Sequence, residues 1–161
     1  SEEGEPIHPD SILELPIKSG HPVFPPFDRT QKDAFLKKVI SSGHKWVILT
    51  DNEGNPQCML DADGFFRGAL DERIKTFNPT QYCVHPIIVT DHTTRLGSVI
   101  VKLTVEPKSF EDDVIDRDII LVWGKFRRII TGADLLGRLF RGIAIRERIT
   151  ENTQGESHAK S

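Results

Sequence analysis

The chain has few cysteines, no long apolar run and no excess of positive charge, and each shortage excludes a class of function. Two cysteines, Cys58 and Cys83, stand among 161 residues. They cannot build a disulfide framework, and neither belongs to a CxxC pair with metal-ligand spacing. Their positions predict two reduced thiols, one in a strand and one in a linker, in a reducing, cytoplasmic setting. The longest apolar runs span a handful of residues, far short of the ~20 that cross a bilayer, so no membrane insertion of this chain is expected. The opening SEEGEPIHPDS is acidic and lacks the basic and apolar regions of a signal peptide. A formal net charge of −3 leaves no general basic face for phosphates, which argues against nucleic acid as a partner. The six histidines are dispersed, without HxH or HExxH spacing, so no zinc ligand set is expected. No nucleophile, base and acid can be grouped. Catalytic residues are therefore not nominated, and the chain is not expected to be an enzyme.

What is present is an internal repeat. HPVFPPFDRTQKDAFLKKVI, from His21, lies against HPIIVTDHTTRLGSVIVKL, from His85. His-Pro falls on His-Pro, Val23-Phe24 on Ile87-Ile88, Thr30 on Thr94 and Phe35-Leu36 on Val99-Ile100. Each copy predicts a short strand, a threonine-capped turn and an amphipathic helix. Next, KWVILTDNEGNP predicts a strand from Trp46 to Thr50 and a polar turn. Its counterpart, DIILVWGK, predicts a strand from Ile119 to Trp123. QCMLDADGFFRGAL then matches RIITGADLLGRLF, pairing Leu60 with Ile130 and Phe65-Phe66 with Leu135-Leu136.

Both copies thus predict strand, helix, strand, strand, helix. The last helix of the second carries Leu135, Leu136, Leu139, Phe140 and Ile143 on one face. The fold class expected is α/β, with two small repeats packed together because neither alone can cover both faces of its sheet. The boundaries expected are an N-terminal tail and linker over 1–20, a first repeat with linker over 21–84, a second repeat over 85–149 and a disordered tail over 150–161.

A tandem repeat of this order, ending in RRIITGADLL, resembles a pair of cystathionine-β-synthase (CBS) domains, the arrangement called a Bateman module. The likeness covers roughly residues 9–145, and is closer in the second copy than in the first. The family's ligand motif is a glycine, two apolar positions, Ser or Thr, two variable positions and Asp, at a strand-to-helix junction. Thr131 and Asp134 occupy its Thr and Asp positions, while Arg128 replaces the glycine. The resemblance implies that Asp134 binds ribose hydroxyls and that Thr131 lies near phosphate. It also implies a homodimer. A long side chain at 128 either crowds the ligand or contacts its phosphate.

The chemistry of those residues fits the same roles. A helix N-terminus presents unpaired amides and a positive dipole end. A carboxylate accepts hydrogen bonds from two vicinal hydroxyls, and the guanidinium of Arg127 or Arg128 can pair with phosphate in bidentate fashion. Ile87, Ile88, Ile129 and Ile130 are candidate apolar walls for a purine, with His85 at the start of their strand. The plainer reading is that Thr-x-x-Asp before an apolar run is a helix cap, with Asp134 also facing Arg138 one turn on. In the first copy Asp61 and Gly64 take the two positions. A carboxylate at 61 caps a helix but repels phosphate, and glycine offers ribose nothing, so that junction predicts structure without a site.

The acidic run Glu111, Asp112, Asp113, Asp116 and Asp118 lacks the glycine and closing glutamate of a Ca²⁺ loop and is interrupted by Arg117. It predicts a solvated loop, and no metal residues are nominated. Trp46 and Trp123, at equivalent ends of repeated strands, predict packing. The function expected is regulatory sensing of an adenine nucleotide (AMP, ADP or ATP, with Mg²⁺ as an option) at the second repeat, relayed to an unknown regulated protein. No cofactor is required. The alternative is a ligand-free dimerisation or interaction module.

Overall fold

The structure, a computed structural model, describes residues 4–90 and 115–134. The expected helix around Thr94 to Ile100, the apolar stripe from Leu135 to Ile143, much of the acidic run and the C-terminal tail lie outside those residues. In chain order the elements are β1 (Glu5–Pro6), β2 (Ile12–Glu14), β3 (Ile17–Lys18), β4 (His21–Pro22), α1 (Ala34–Ile40), β5 (Trp46–Thr50), β6 (Pro56–Asp61), α2 (Ala62–Leu70), β7 (Cys83–Val89), β8 (Ile115–Val122) and β9 (Arg128–Thr131). Short 3-10 turns at Pro9–Ser11 and Pro79–Tyr82 precede β2 and β7. The chain is mixed α/β, built on a seven-stranded sheet in the order β1-β9-β8-β7-β6-β5-β2.

Local chemistry accounts for most of these elements. β5, WVILT, is rich in the branched and aromatic residues that suit a pleated surface. It turns into β6 at Asp51, whose Oδ1 accepts the amides of Glu53 and Asn55 at 2.9 Å. Gly54 supplies the positive φ that the turn requires, +81°. Asp33 starts α1, its Oδ1 accepting the amides of Phe35 at 2.8 Å and Leu36 at 3.0 Å. Asp61 starts α2 by accepting the Gly64 amide at 3.1 Å.

Side-chain alternation then sorts the strands into two faces. Val47, Leu49, Cys58 and Leu60 pack under the helices with Leu36, Val39, Ala62, Phe65 and Ala69. The intervening Ile48 and Met59 join Ile119, Leu121, Trp123 and Ile129 on the other face, with Trp46 at the margin. Both tryptophans are thus packing residues.

The sheet is curled. β1 and β5 are five steps apart in the strand order, which in a flat sheet at about 4.8 Å per step is roughly 24 Å. Yet Glu5 of β1 lies 3.5 Å from Nδ1 of His44, just ahead of β5. His44 also stacks on His8, with ring centroids 5.8 Å apart. One short N-terminal segment covers both ends of the sheet, since β1 pairs with β9 and β2 pairs with β5.

Several expectations are corrected here. The described part of the expected tail and linker is structured: Glu5–Pro6 and Ile12–Glu14 are sheet strands, and Leu13 and Leu15 are buried in the core. The strand standing in the first half where β7 stands in the second is β2, parallel to β5 as β7 is to β8. His21-Pro22 instead pairs with Ile17-Lys18 in a separate two-stranded hairpin, and Val23-Phe24 is not a strand. Asp33, not Thr30, caps α1. Cys83 is in β7 and not in a linker, so the second half begins before residue 85. Asp116 and Asp118 lie within β8, where ladder pairing and not solvation sets the backbone.

Candidate site at the second strand-to-helix junction

β9 ends at Thr131 and the backbone turns helical from 132. The junction is closed by two reciprocal hydrogen bonds. The Asp134 amide donates to Thr131 Oγ1 at 3.2 Å, and the Thr131 amide donates to Asp134 Oδ2 at 3.0 Å. This is a capping box, in which each side chain satisfies the other residue's otherwise unpaired donor. It leaves the hydroxyl proton of Thr131 available to donate. Asp134 is exposed, and its second carboxylate oxygen has acceptor capacity left over for a ligand.

Strand register fixes where the other nominated residues stand. Thr131 lies opposite Ile119, Ile130 opposite Ile120, Ile129 opposite Leu121 and Arg128 opposite Val122. On the far side of β8, Ile87 pairs with Ile120, Ile88 with Leu121 and His85 with Ile115. The helix start is therefore level with the N-terminal part of β7, two strands away.

Two parts of the expected site are not brought together. Ile129 and Ile130 are consecutive in a strand and face opposite ways. Ile129, 7% exposed, packs in the inner core, and Ile130, 2% exposed, packs with Ile120, Ile87 and Val89. They cannot both wall one purine. Ile88, 38% exposed, is the accessible member of the four isoleucines. The arginines stand at the opposite end of β9. Arg127 is four residues from Thr131, about 13 Å along an extended strand, and its guanidinium lies 3.9 Å from the centroid of the Trp123 ring. Arg128 sits on the register of Val122 and Pro6. Both therefore stand away from the helix start along the chain direction of β9.

The neighbour that sequence reasoning did not place at the junction is Asp118. Its Cβ is 3.7 Å from where a β-carbon on Gly132 would stand, which brings another carboxylate-bearing residue beside the cap. Only the register of β8 against β9 reveals this, and no local spacing signals it. At the matching junction of the first half, Asp61 caps α2 through Gly64, and the ring of Tyr82 lies against the glycine face at Gly64 and Gly68. That space is filled by the protein itself.

Family models, characterised proteins and solved structures give no match to this chain. The site therefore rests on its own geometry. Among the described residues no cluster of three or more His, Cys, Asp or Glu could hold a metal ion, and no helix is long and apolar enough to cross a membrane. Two grooves of about 740 and 480 Å³ lie in the first half, along Ile12–Ile17 and between Phe24, Phe27 and Phe77. Neither is lined by a nominated residue.

Proposed function

We propose that the chain is a Bateman module, two CBS-like repeats whose second junction binds an adenine nucleotide and relays its presence to a partner protein. The element order supports this reading. With the β3–β4 hairpin inserted after β2, the elements β2, α1, β5, β6 and α2 of the first half give strand, helix, strand, strand, helix, with β2 and β5 parallel and β6 antiparallel to β5, and β7, β8 and β9 repeat that pairing.

The observation that carries the ligand proposal is the difference between the two junctions. Tyr82 fills the first, whereas the second is edged by a hydroxyl and an exposed carboxylate, each with hydrogen-bonding capacity beyond its cap. In this reading Asp134 accepts from the ribose hydroxyls and Thr131 donates to a phosphate oxygen, with Ile88 against the base. The ligand is an AMP-, ADP- or ATP-type nucleotide, with Mg²⁺ as an option. Binding shifts the helices of one repeat relative to the other, and a homodimer carries that shift to the partner.

The ligand-free interaction module is the second reading, favoured by the capping box itself, which gives Thr131 and Asp134 a complete structural role. Thermal-shift measurements with AMP, ADP, ATP, S-adenosylmethionine and NAD, each with and without Mg²⁺, separate the two. A ligand at ~100 times its Kd stabilises the fold by ~2.7 kcal/mol, with one nucleotide per chain by calorimetry. Asp134→Asn keeps an oxygen acceptor and the side-chain size, so its affinity should fall further than its stability. Thr131→Val should do the same. No shift with any compound at millimolar concentration, or unchanged affinity in both variants, returns the junction to a cap alone.

A further inference from the structure

The two cysteines of the chain meet at the seam between its halves. In the antiparallel pairing of β6 with β7, Leu60 is opposite Cys83 and Met59 opposite Val84. Cys58 and Leu60 share a face because side chains alternate along a strand, so Cys58 is the diagonal neighbour of Cys83 on that face. Both belong to one core cluster, Cys58 fully buried within it and Cys83 partly exposed at its margin. Neither is in a disulfide. The neighbouring Cys83 sulfur raises the Cys58 thiol well above the ordinary thiol range, with burial adding to the effect. The same pairing lowers Cys83. Cys83, the reachable sulfur, is the one that ionises first.

We propose that Cys58 and Cys83 are a dithiol modification site, which a small-molecule disulfide oxidises reversibly to an intramolecular disulfide across the β6–β7 seam. The Cys83 thiolate attacks one sulfur of the oxidant, forming a mixed disulfide and expelling the other half as a thiolate. Cys58 then attacks the Cys83 sulfur and expels the second half, its proton passing to that departing thiolate. The protein gives up two electrons and two protons, and the oxidant leaves as two thiols. Diagonal partners have Cα atoms about 7–8 Å apart, beyond the ordinary span of a disulfide, and the offset runs mainly along the strands, so closure must slide β7 against β6. The seam suits that movement, being held by two residue pairs where β5–β6 has five.

The test uses the full chain, folded, incubated with excess oxidised glutathione, then acid-quenched, denatured, alkylated and weighed by intact mass spectrometry. The expected product is lighter by two hydrogen atoms, takes up no alkyl group and returns to the starting mass with reductant. Cys58→Ser should accumulate a single glutathione adduct at Cys83, because the second step has no nucleophile. Cys83→Ser should stay unmodified, because Cys58 is buried. Wild-type protein that holds glutathione on Cys83 while Cys58 remains alkylatable overturns the proposal. So does wild-type protein in which both thiols remain alkylatable. Circular dichroism on each sample confirms that these outcomes come from folded protein.

Discussion

At the scale of single residues, short polar side chains hold the backbone where the chain changes direction. Asp33 takes three amides, from Phe35 and Leu36 on one oxygen and from Asp28 at 2.8 Å on the other. The Leu36 amide is the largest cause, followed by that of Asp28, of a carboxyl held below the ordinary aspartate range. The folded group therefore binds its proton less tightly than the unfolded one, whose value is about 3.9. Its contribution to stability is complete above that value and is lost as pH falls through the lower, folded value. Asp33→Asn keeps an acceptor oxygen but cannot titrate. We expect wild type to melt higher than the variant near neutral pH, with the gap closing as pH is taken down through the carboxylate range. Parallel melting curves across that range would show that Asp33 contributes no charge to the cap.

At the scale of elements, the sequence made visible what local chemistry determines. β5 and β9 follow from short, nearly continuous apolar runs, the β5–β6 turn from Asp51 and Gly54, and the start of the last described turn from Thr131 and Asp134. β2 was not visible. Three residues cannot display a period, and Ile12–Glu14 is a strand because β5 is available to pair with it. The His-Pro dipeptides misled for the same reason, since identity of two residues says nothing of their ladder partners. At the site the cap was legible, whereas the separation of the arginines from the helix start depended on register. The phenylalanine-rich packing was also hidden, because its members come from loops and helices far apart in sequence. Phe65, fully buried, meets Phe24, Phe27, Phe35, Phe77 and Tyr82 within ring-centroid distances of 5.3–6.1 Å. Gly68 of α2 leaves room for this cluster, for a β-carbon there would run into the Tyr82 ring and press on Phe77. Gly→Ala normally favours a helix by about 0.8–1.0 kcal/mol. At this site overpacking costs about 1–3 kcal/mol and should win. Gly68→Ala is therefore predicted to lower stability in urea titrations, and Gly68→Ala with Tyr82→Leu to recover part of the loss. A stabilised single variant would mean that Tyr82 moves aside at no cost.

At the scale of the whole molecule, the described seven-stranded sheet is curled and both of its outer strands are short. An open sheet leaves unpaired donors and acceptors along both outer strands. Here the segment from Glu5 to Glu14 supplies both outer strands, β1 beside β9 and β2 beside β5, and crosses between them in five residues, 7–11. Gly4 fits against the Ile129 carbonyl only because it has no β-carbon, and its φ of +86° suits glycine. The Ile7 amide continues the contact, donating to the Arg127 carbonyl at 3.0 Å, and its side chain packs against the inner core. This closure places the N-terminal segment on β9, the strand that leads into Thr131. Deleting residues 1–7 should remove hydrogen bonds worth ~1 kcal/mol each and uncover apolar surface at ~25 cal/mol per Å². The expected result is a lower melting temperature, with amide exchange quickened at Ile129 and Thr131 before it changes in β5. His44 would lose Glu5 as a neighbour, and its ring resonances should shift. The closure is local if β9 exchanges first while the first half keeps its protection. If protection is instead lost equally from β5, β6 and β9, the N-terminal segment holds the whole curled sheet together. An unchanged melting temperature with unchanged exchange in β9 would mean that β1 contributes nothing to the closure.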